Sequence, residues 1–165
     1  MTPPEATELE LEPGHPGLGD EDYIRRRQEL FALCRRHRLE RLGPPLMNRD
    51  YAELLTLIGK AVAATTEGEQ VLSLKRFSWF SIEFGLIEEA GDVKVFGAGI
   101  LSSVGEIPHS LFSPEVTRRP FVTDVVIDTD YDPSRMQDHL FVAPSLPFLR
   151  RELEGLVRRF GIPVL

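Results

Sequence analysis

The sequence has little of what marks several common classes of protein. Its single cysteine, Cys34, excludes a disulfide within the chain, and such sparse use is typical of a reducing compartment. No apolar run reaches the length that a bilayer requires, which argues against a membrane protein. The N-terminal stretch has neither a basic region nor an apolar core, so it predicts no secretory signal and favours a cytoplasmic location.

Positive charge is also scarce. The net charge of −7 argues against a partner that is a nucleic acid or an anionic membrane. The charge is uneven, because the first 22 residues contain acidic side chains but no lysine or arginine, whereas residues 25–41 are rich in arginine. With 165 residues, of which 42% are hydrophobic, the composition predicts one globular domain with a real core.

Proline and glycine divide the chain into an arm and a domain. Residues 1–19 are rich in Pro, Gly and Glu without periodicity, which predicts a disordered acidic arm. Residues 20–165 are predicted to form a single domain, with a junction near 43–44, where Gly43-Pro44-Pro45 ends the first helix.

The periodicity of the apolar residues predicts an α+β fold that is mostly helical and has a small sheet. Helices are predicted from an N-cap at Asp20, over 48–66, over 70–87 and over 146–160, the last capped by Ser145 and ended by Gly161. Strands are predicted near 93–96, within 121–134 and at 139–143, and the first is entered by a turn at Ala90-Gly91-Asp92.

Two of these helices have recognisable apolar stripes. The first is broken and includes Cys34, which favours a packed thiol over a nucleophile. The second is predicted to bury Tyr51, Leu54, Leu55, Ile58 and Val62.

The stretch FSWFSIEFGLIEE, residues 77–89, places Glu83 among large apolar side chains. In the predicted helix over 70–87, this carboxylate shares a face with Trp79, Phe80, Leu86 and Ile87. Burying a carboxylate there is costly without a partner. Two interpretations remain open: Glu83 lies at the rim and pairs with Arg76 or Lys75, or it binds a metal ion, as the carboxylate does beside two histidines in non-haem iron oxygenases.

The histidines do not decide between these interpretations. The four, His15, His37, His109 and His139, are far apart in sequence, and none forms a local pair of metal ligands. Each is better explained as a surface or capping residue.

A second candidate lies in GAGILSSVGEIPHS, residues 97–110. Its first two glycines indicate a close approach to another part of the backbone. Ser102, Ser103 and Glu106 either line a pocket beside the central helix or serve turn formation alone, and both readings remain open.

The motifs FSWFSIEFGL and VFGAGILSSVGE, in this order and at this spacing, resemble the pterin-dependent aromatic amino acid hydroxylases, the phenylalanine hydroxylase group in particular. PPLMNRDYAEL upstream and YDPSRMQDHLFVAPSLPFL downstream extend the resemblance over 44–165. It implies the C-terminal half of such a catalytic domain, with Fe(II), a tetrahydropterin and O2 used to hydroxylate an aromatic amino acid.

The resemblance also implies roles for individual residues. Glu83 corresponds to the carboxylate ligand of the iron, and Trp79 and Phe84 to substrate-binding walls of the active site. Gly99 and Ser102 match the loop that supports the iron and receives the amino acid, and Glu106 matches a supporting glutamate of that loop.

One departure from the family pattern changes the expectation for activity. The family's two iron histidines lie in a His-(Asp/Glu)-x-x-Gly-His-Val-Pro motif directly before the stretch that matches PPLMNRDYAEL, whereas here HRLERLG precedes it. The sequence therefore predicts either a hydroxylase completed by histidines from elsewhere or an inactive relative that serves as an interaction or amino-acid-binding module. It also predicts that the apolar face of 70–87 is partly exposed and promotes a homo-oligomer.

Overall fold

The computed structural model describes residues 16–39, 48–66 and 68–163. The arm over 1–15 and the junction near 43–44 lie outside these residues, so both remain predictions. Pro16–Gly19 forms a 3-10 turn. Helix α1, Glu21–His37, then begins at the predicted N-cap, where an Asp20 side-chain oxygen accepts the Tyr23 N–H at 3.0 Å.

Two long helices pack against each other, α2 (Arg49–Ala64) and α7 (Leu146–Arg159). Both begin at side-chain N-caps, Asn48 for α2 and Ser145 for α7, and Gly161 after α7 has a left-handed φ of 66°. The predicted face of α2 is wrong in part: Leu55 and Val62 are exposed, while Leu57 and Ala61 are buried. The buried face of α2 is therefore rotated toward Leu57 and Ala61.

The predicted helix over 70–87 is shorter than expected and is followed by a strand. Helix α3 spans Gly68–Ser78, and a π-helical turn, Trp79–Glu83, continues it. The chain then leaves at Gly85 and enters β1, Leu86–Glu89, which forms an antiparallel hairpin with β2, Asp92–Val95. The turn at Ala90 and Gly91 is confirmed, with positive φ at both residues.

The sheet has four strands in the order β2-β1-β4-β3. Strand β4, His139–Ala143, was predicted and is parallel to both of its neighbours, β1 and β3, Thr117–Pro120. The prediction of a strand within 121–134 is wrong, because Thr123–Asp128 forms helix α6. The strand that pairs with β4 is β3, which ends before this helix. Helices α4, Ala98–Leu101, and α5, Glu106–Phe112, connect β2 to β3. The predicted fold class, mostly helical with a small sheet, is confirmed.

The core joins α2, α3, α7 and one side of the sheet through large apolar side chains. Phe77, Phe80, Phe121 and Phe141 meet edge to face, with ring centroids 5.1–6.2 Å apart. Phe77 and Phe80 lie at the centre of this core, so the middle of the apolar face of 70–87 is buried, while Leu72 of the same segment is exposed. The homo-oligomer expected through that face stays a prediction. No helix in the described ranges is long and apolar enough to cross a membrane.

Candidate active site around Glu83

Glu83 is the last residue of the π-helical turn that extends α3. The turn is closed by the Phe84 N–H, which donates to the Trp79 carbonyl oxygen at 2.8 Å, five residues back in the chain. Single π-turns of this kind are frequent at functional sites. The widened turn means that Leu86 and Ile87 do not share a helical face with Glu83, which corrects the geometry expected from sequence.

The Glu83 side chain is half-buried and has no ion pair or hydrogen bond with any residue that the structure describes. The expected pair with Arg76 is wrong, because the Arg76 guanidinium binds the Ile127 carbonyl at 2.8 Å and the Asp130 carboxylate. Lys75 forms no ion pair within the described ranges either. The charge of Glu83 acts on Tyr51. Burial of the Tyr51 hydroxyl and, to a smaller extent, the charge of Glu83 raise the pKa of Tyr51 to about 12.

Two glycines, Gly97 and Gly99, allow the backbone around Glu83 to pack tightly. A Cβ on Gly97 would lie 2.5 Å from the Glu83 carbonyl oxygen and 2.5 Å from the Gly85 nitrogen. A Cβ on Gly99 would lie 2.9 Å from the same carbonyl oxygen and 3.0 Å from the Phe84 ring. The close approach that the glycines predicted is confirmed, and its partner is the backbone that carries Glu83.

Trp79 and Phe84, the two predicted wall residues, are in contact beside Glu83. Their rings stack with centroids 4.6 Å apart and an interplanar angle of 29°. The opposite face of the indole is covered by Tyr131, at 4.2 Å and 12°. The indole N–H donates to the side-chain oxygen of buried Gln137 at 3.1 Å. Trp79 is therefore held on both faces and at its edge.

The loop residues Ser102, Ser103 and Glu106 make mainly local contacts. The Ser102 hydroxyl, which is exposed, donates to the Gly99 carbonyl at 2.8 Å, and the Ser103 hydroxyl accepts the Glu106 N–H at 3.2 Å. These bonds favour the turn-chemistry reading for both serines. Burial raises the pKa of Glu106, and His109 acts against this rise. The supporting role expected for Glu106 stays a prediction.

The described residues do not form a complete iron site. They contain no group of three or more His, Cys, Asp or Glu side chains close enough to hold a metal ion. Each described histidine is engaged elsewhere: the His37 ring packs on Phe112, the His109 ring donates to the Gln137 carbonyl, and His139 pairs with Asp138. Cys34 is a packed thiol, as predicted, since burial raises its pKa and its Sγ lies 3.4 Å from the Leu101 carbonyl oxygen.

Sequence reasoning missed three features of the site. The π-turn leaves no recognisable trace in the residue pattern. Tyr131 and Gln137 come from the loop between α6 and β4, and their proximity to Trp79 depends on long-range packing. The third is strand β1, which did have a signal, since the predicted turn at Ala90-Gly91 needs a partner strand before the alternating DVKV.

Comparison with known proteins places this geometry in one family. The sequence model for the biopterin-dependent aromatic amino acid hydroxylases matches residues 37–163. The phenylalanine-4-hydroxylase of Vibrio cholerae is 35% identical over 142 residues, which cover 82% of this chain and 49% of that protein. The tyrosine 3-monooxygenase of Schistosoma mansoni is 34% identical over 119 residues, 72% of this chain and 25% of the relative.

The solved structures give the same answer for the fold. The phenylalanine hydroxylase of Chromobacterium violaceum with iron and phenylalanine bound matches with a TM-score of 0.64 and 28% identity, covering 76% of this chain and 48% of that one. The chain therefore spans about half the length of the bacterial phenylalanine hydroxylases that it matches, and about a quarter of the tyrosine 3-monooxygenase.

Proposed function

Because the chain belongs to the biopterin-dependent aromatic amino acid hydroxylases, we propose that it supplies the carboxylate and aromatic half of a hydroxylase active site. In this proposal Glu83 is one ligand of Fe(II), and the Trp79 and Phe84 rings form part of the wall for an aromatic amino acid. A tetrahydropterin and O2 are the further reactants that the family implies.

The observation that carries the proposal is the unpaired state of Glu83 among the described residues. The Glu83 side chain is half-buried, so its carboxylate loses part of its hydration, and no described residue compensates with a hydrogen bond or ion pair. A bound metal ion would supply that compensation. The backbone supports this role, because Gly97 and Gly99 pack against the Glu83 peptide and fix where its side chain begins.

The described residues do not fit iron by themselves. One carboxylate is too few, since a facial iron site uses two imidazoles with it. The proposal therefore requires two further ligands, from residues outside the described ranges or from a partner copy of the same chain, so that the loaded protein contains them. What these residues do supply is a fixed aromatic wall and a carboxylate whose position is set by a tight backbone.

Iron binding gives the direct test. The chain is loaded anaerobically with Fe(II) and desalted, and iron per chain is measured for the wild type, Glu83→Ala and Glu88→Ala. Glu88 is an exposed glutamate of the nearby β1 strand, and serves as the matched control. The proposal expects close to one iron in the wild type and in Glu88→Ala, and loss in Glu83→Ala, after which hydroxylation of phenylalanine with tetrahydrobiopterin and O2 is assayed.

A second candidate is a module that binds an aromatic amino acid without chemistry. It is favoured by the lack of a three-ligand cluster in the described ranges, together with an intact aromatic wall. Wild-type chain that retains no iron but binds L-phenylalanine in calorimetry would select this candidate. Failure of both measurements would exclude both functions for the chain.

A further inference from the structure

The three stacked rings at the site come from two different parts of the chain. Trp79 and Phe84 belong to the π-turn and its cap, and the Phe84 N–H is bonded to the Trp79 carbonyl at 2.8 Å. Tyr131 comes from the loop between α6 and β4, about fifty residues later in sequence, and covers the remaining face of the indole. A ligand that stacks on Trp79 must therefore displace one of its two neighbours.

The place where Tyr131 lies is built to receive an aromatic ring. Its floor is the Trp79 indole, nearly parallel to the Tyr131 ring at 12°, and its wall is the edge of Phe80, with centroids 6.2 Å apart at 89°. Parallel stacking on one side and an edge-to-face contact on another are the two favoured arrangements for six-membered rings. Since the Tyr131 ring fits this slot, a ligand that carries a phenyl or phenol ring would fit it as well.

Gln137 fixes the orientation of the slot. Its side-chain nitrogen donates to the carbonyl oxygens of Asp132 and Arg135, both at 2.8 Å. The side-chain oxygen must therefore be the atom that faces the Trp79 N–H, which can only donate. Because this amide is buried and fully bonded, the indole cannot turn a different face to a ligand. Tyr131 and any stacking ligand compete for the same surface.

Tyr131 is the neighbour that can leave. Among the described residues its hydroxyl has no hydrogen-bond partner, so only ring packing holds the side chain in the slot. The residues on both sides of it, Asp130 and Asp132, are exposed, and the ring can rotate outward while Gln137 keeps the loop attached. Phe84, in contrast, is tied to the Trp79 backbone and packs against Gly99.

We propose that Tyr131 is an internal competitor that occupies the ring-binding slot on Trp79, and that an aromatic amino acid binds there by displacing it. The choice of an amino acid as the ligand rests on the function proposed above, whereas the ring slot rests on the stacking geometry. Tyr131 thereby sets the affinity for the ligand, and a larger or more firmly held ring at this position weakens binding.

The test compares three variants with the wild type. Tyr131→Phe keeps the stacked ring and is the matched control, whereas Tyr131→Ala and Tyr131→Leu remove it, the second while keeping apolar volume in case the alanine variant does not fold. Affinities for L-phenylalanine and for benzyl alcohol, a probe for the ring alone, are measured by calorimetry. Both probes are expected to bind the Tyr131→Ala and Tyr131→Leu variants about 2- to 12-fold more tightly than the Tyr131→Phe variant. This range corresponds to the free energy of one aromatic pair, which the ligand no longer has to break.

A second readout follows Trp79, the only tryptophan in the chain. Acrylamide should quench its fluorescence more strongly in Tyr131→Leu than in Tyr131→Phe, and saturating L-phenylalanine should restore protection. Equal affinities and equal quenching across the variants would overturn the proposal, while continued binding of L-phenylalanine would leave the proposed function intact. Tighter binding of benzyl alcohol alone would support the slot but remove the amino acid as its ligand. Binding of neither probe to any variant would overturn both.

Discussion

Replacing Gly97 by alanine tests whether the backbone around Glu83 is as tightly packed as its geometry implies. The new Cβ would meet the Glu83 carbonyl oxygen and the Gly85 nitrogen, each at 2.5 Å. Both are backbone atoms and cannot rotate away, so the π-turn or the start of α4 must shift. Gly97 itself has an ordinary φ of −65°, so the penalty arises from crowding and not from an unfavourable dihedral.

The magnitude follows from the usual cost of overpacking. One extra methyl group in a packed region destabilises by about 1–3 kcal/mol. For a domain of this size, a melting temperature about 2–12 °C below that of the wild type is expected. Gly155, in the interior of α7, gives the opposite control, because a Cβ there meets nothing within 4 Å. Gly155→Ala should raise stability by about 0.5–1 kcal/mol, since alanine favours the helix.

Thermal and urea unfolding of the three proteins, followed by circular dichroism, provides the measurement. Trp79 fluorescence reports in addition whether the π-turn moves, since the indole is stacked and hydrogen-bonded at the start of that turn. A Gly97→Ala variant as stable as Gly155→Ala, with an unchanged emission spectrum, would refute the reasoning that the glycine is required for close backbone contact.

Three other changes test the packing and electrostatics on which the site depends. Tyr51 should ionise near its raised pKa of about 12 instead of the ordinary 10.0, so the folded protein should lose stability as the pH rises between these two values. Ultraviolet absorbance of the tyrosinate measures the ionisation, and urea unfolding of the wild type and of Tyr51→Phe at each pH measures the change in stability. Ser145→Ala removes the side-chain oxygen that accepts the Phe148 N–H at the start of α7 and should cost about 1 kcal/mol in urea unfolding, whereas Ser134→Ala at an exposed turn should cost less. Leu153→Ala empties a fully buried position of α7 and should cost about 2–5 kcal/mol; a loss below 1 kcal/mol would mean that the α2–α7 contact is not part of the core.

The sequence by itself determined the elements whose signals are local. Asp20, Asn48 and Ser145 cap their helices through hydrogen bonds that reach three residues along the chain, and Ala90-Gly91 forms the hairpin turn through its own dihedral preferences. The paired motifs were specific enough to indicate the family before any geometry was known. The glycines at 97 and 99 likewise predicted a close backbone contact, but the sequence did not indicate which segment makes it.

Tertiary structure decided what depends on residues far apart in the chain. The end of α3 is such a case: its apolar pattern continues smoothly to Ile87, but Leu86 and Ile87 pair with β2 and β4, and a π-turn absorbs the change of direction. Periodicity alone cannot distinguish a buried helix from a buried strand. The exposure of Leu55 and the burial of Leu57 were likewise set by where α7 lies on α2.

The candidate site divides in the same way. Residue types singled out Glu83, a carboxylate among large apolar side chains, and the resemblance to the family singled out Trp79 and Phe84. Only the folded chain brings Tyr131 onto the indole and Gln137 to its N–H, more than fifty residues away in sequence. A stacking contact or a buried hydrogen bond between distant segments leaves no periodic trace in a single sequence, since it depends on how the whole core is packed and not on the residues beside it.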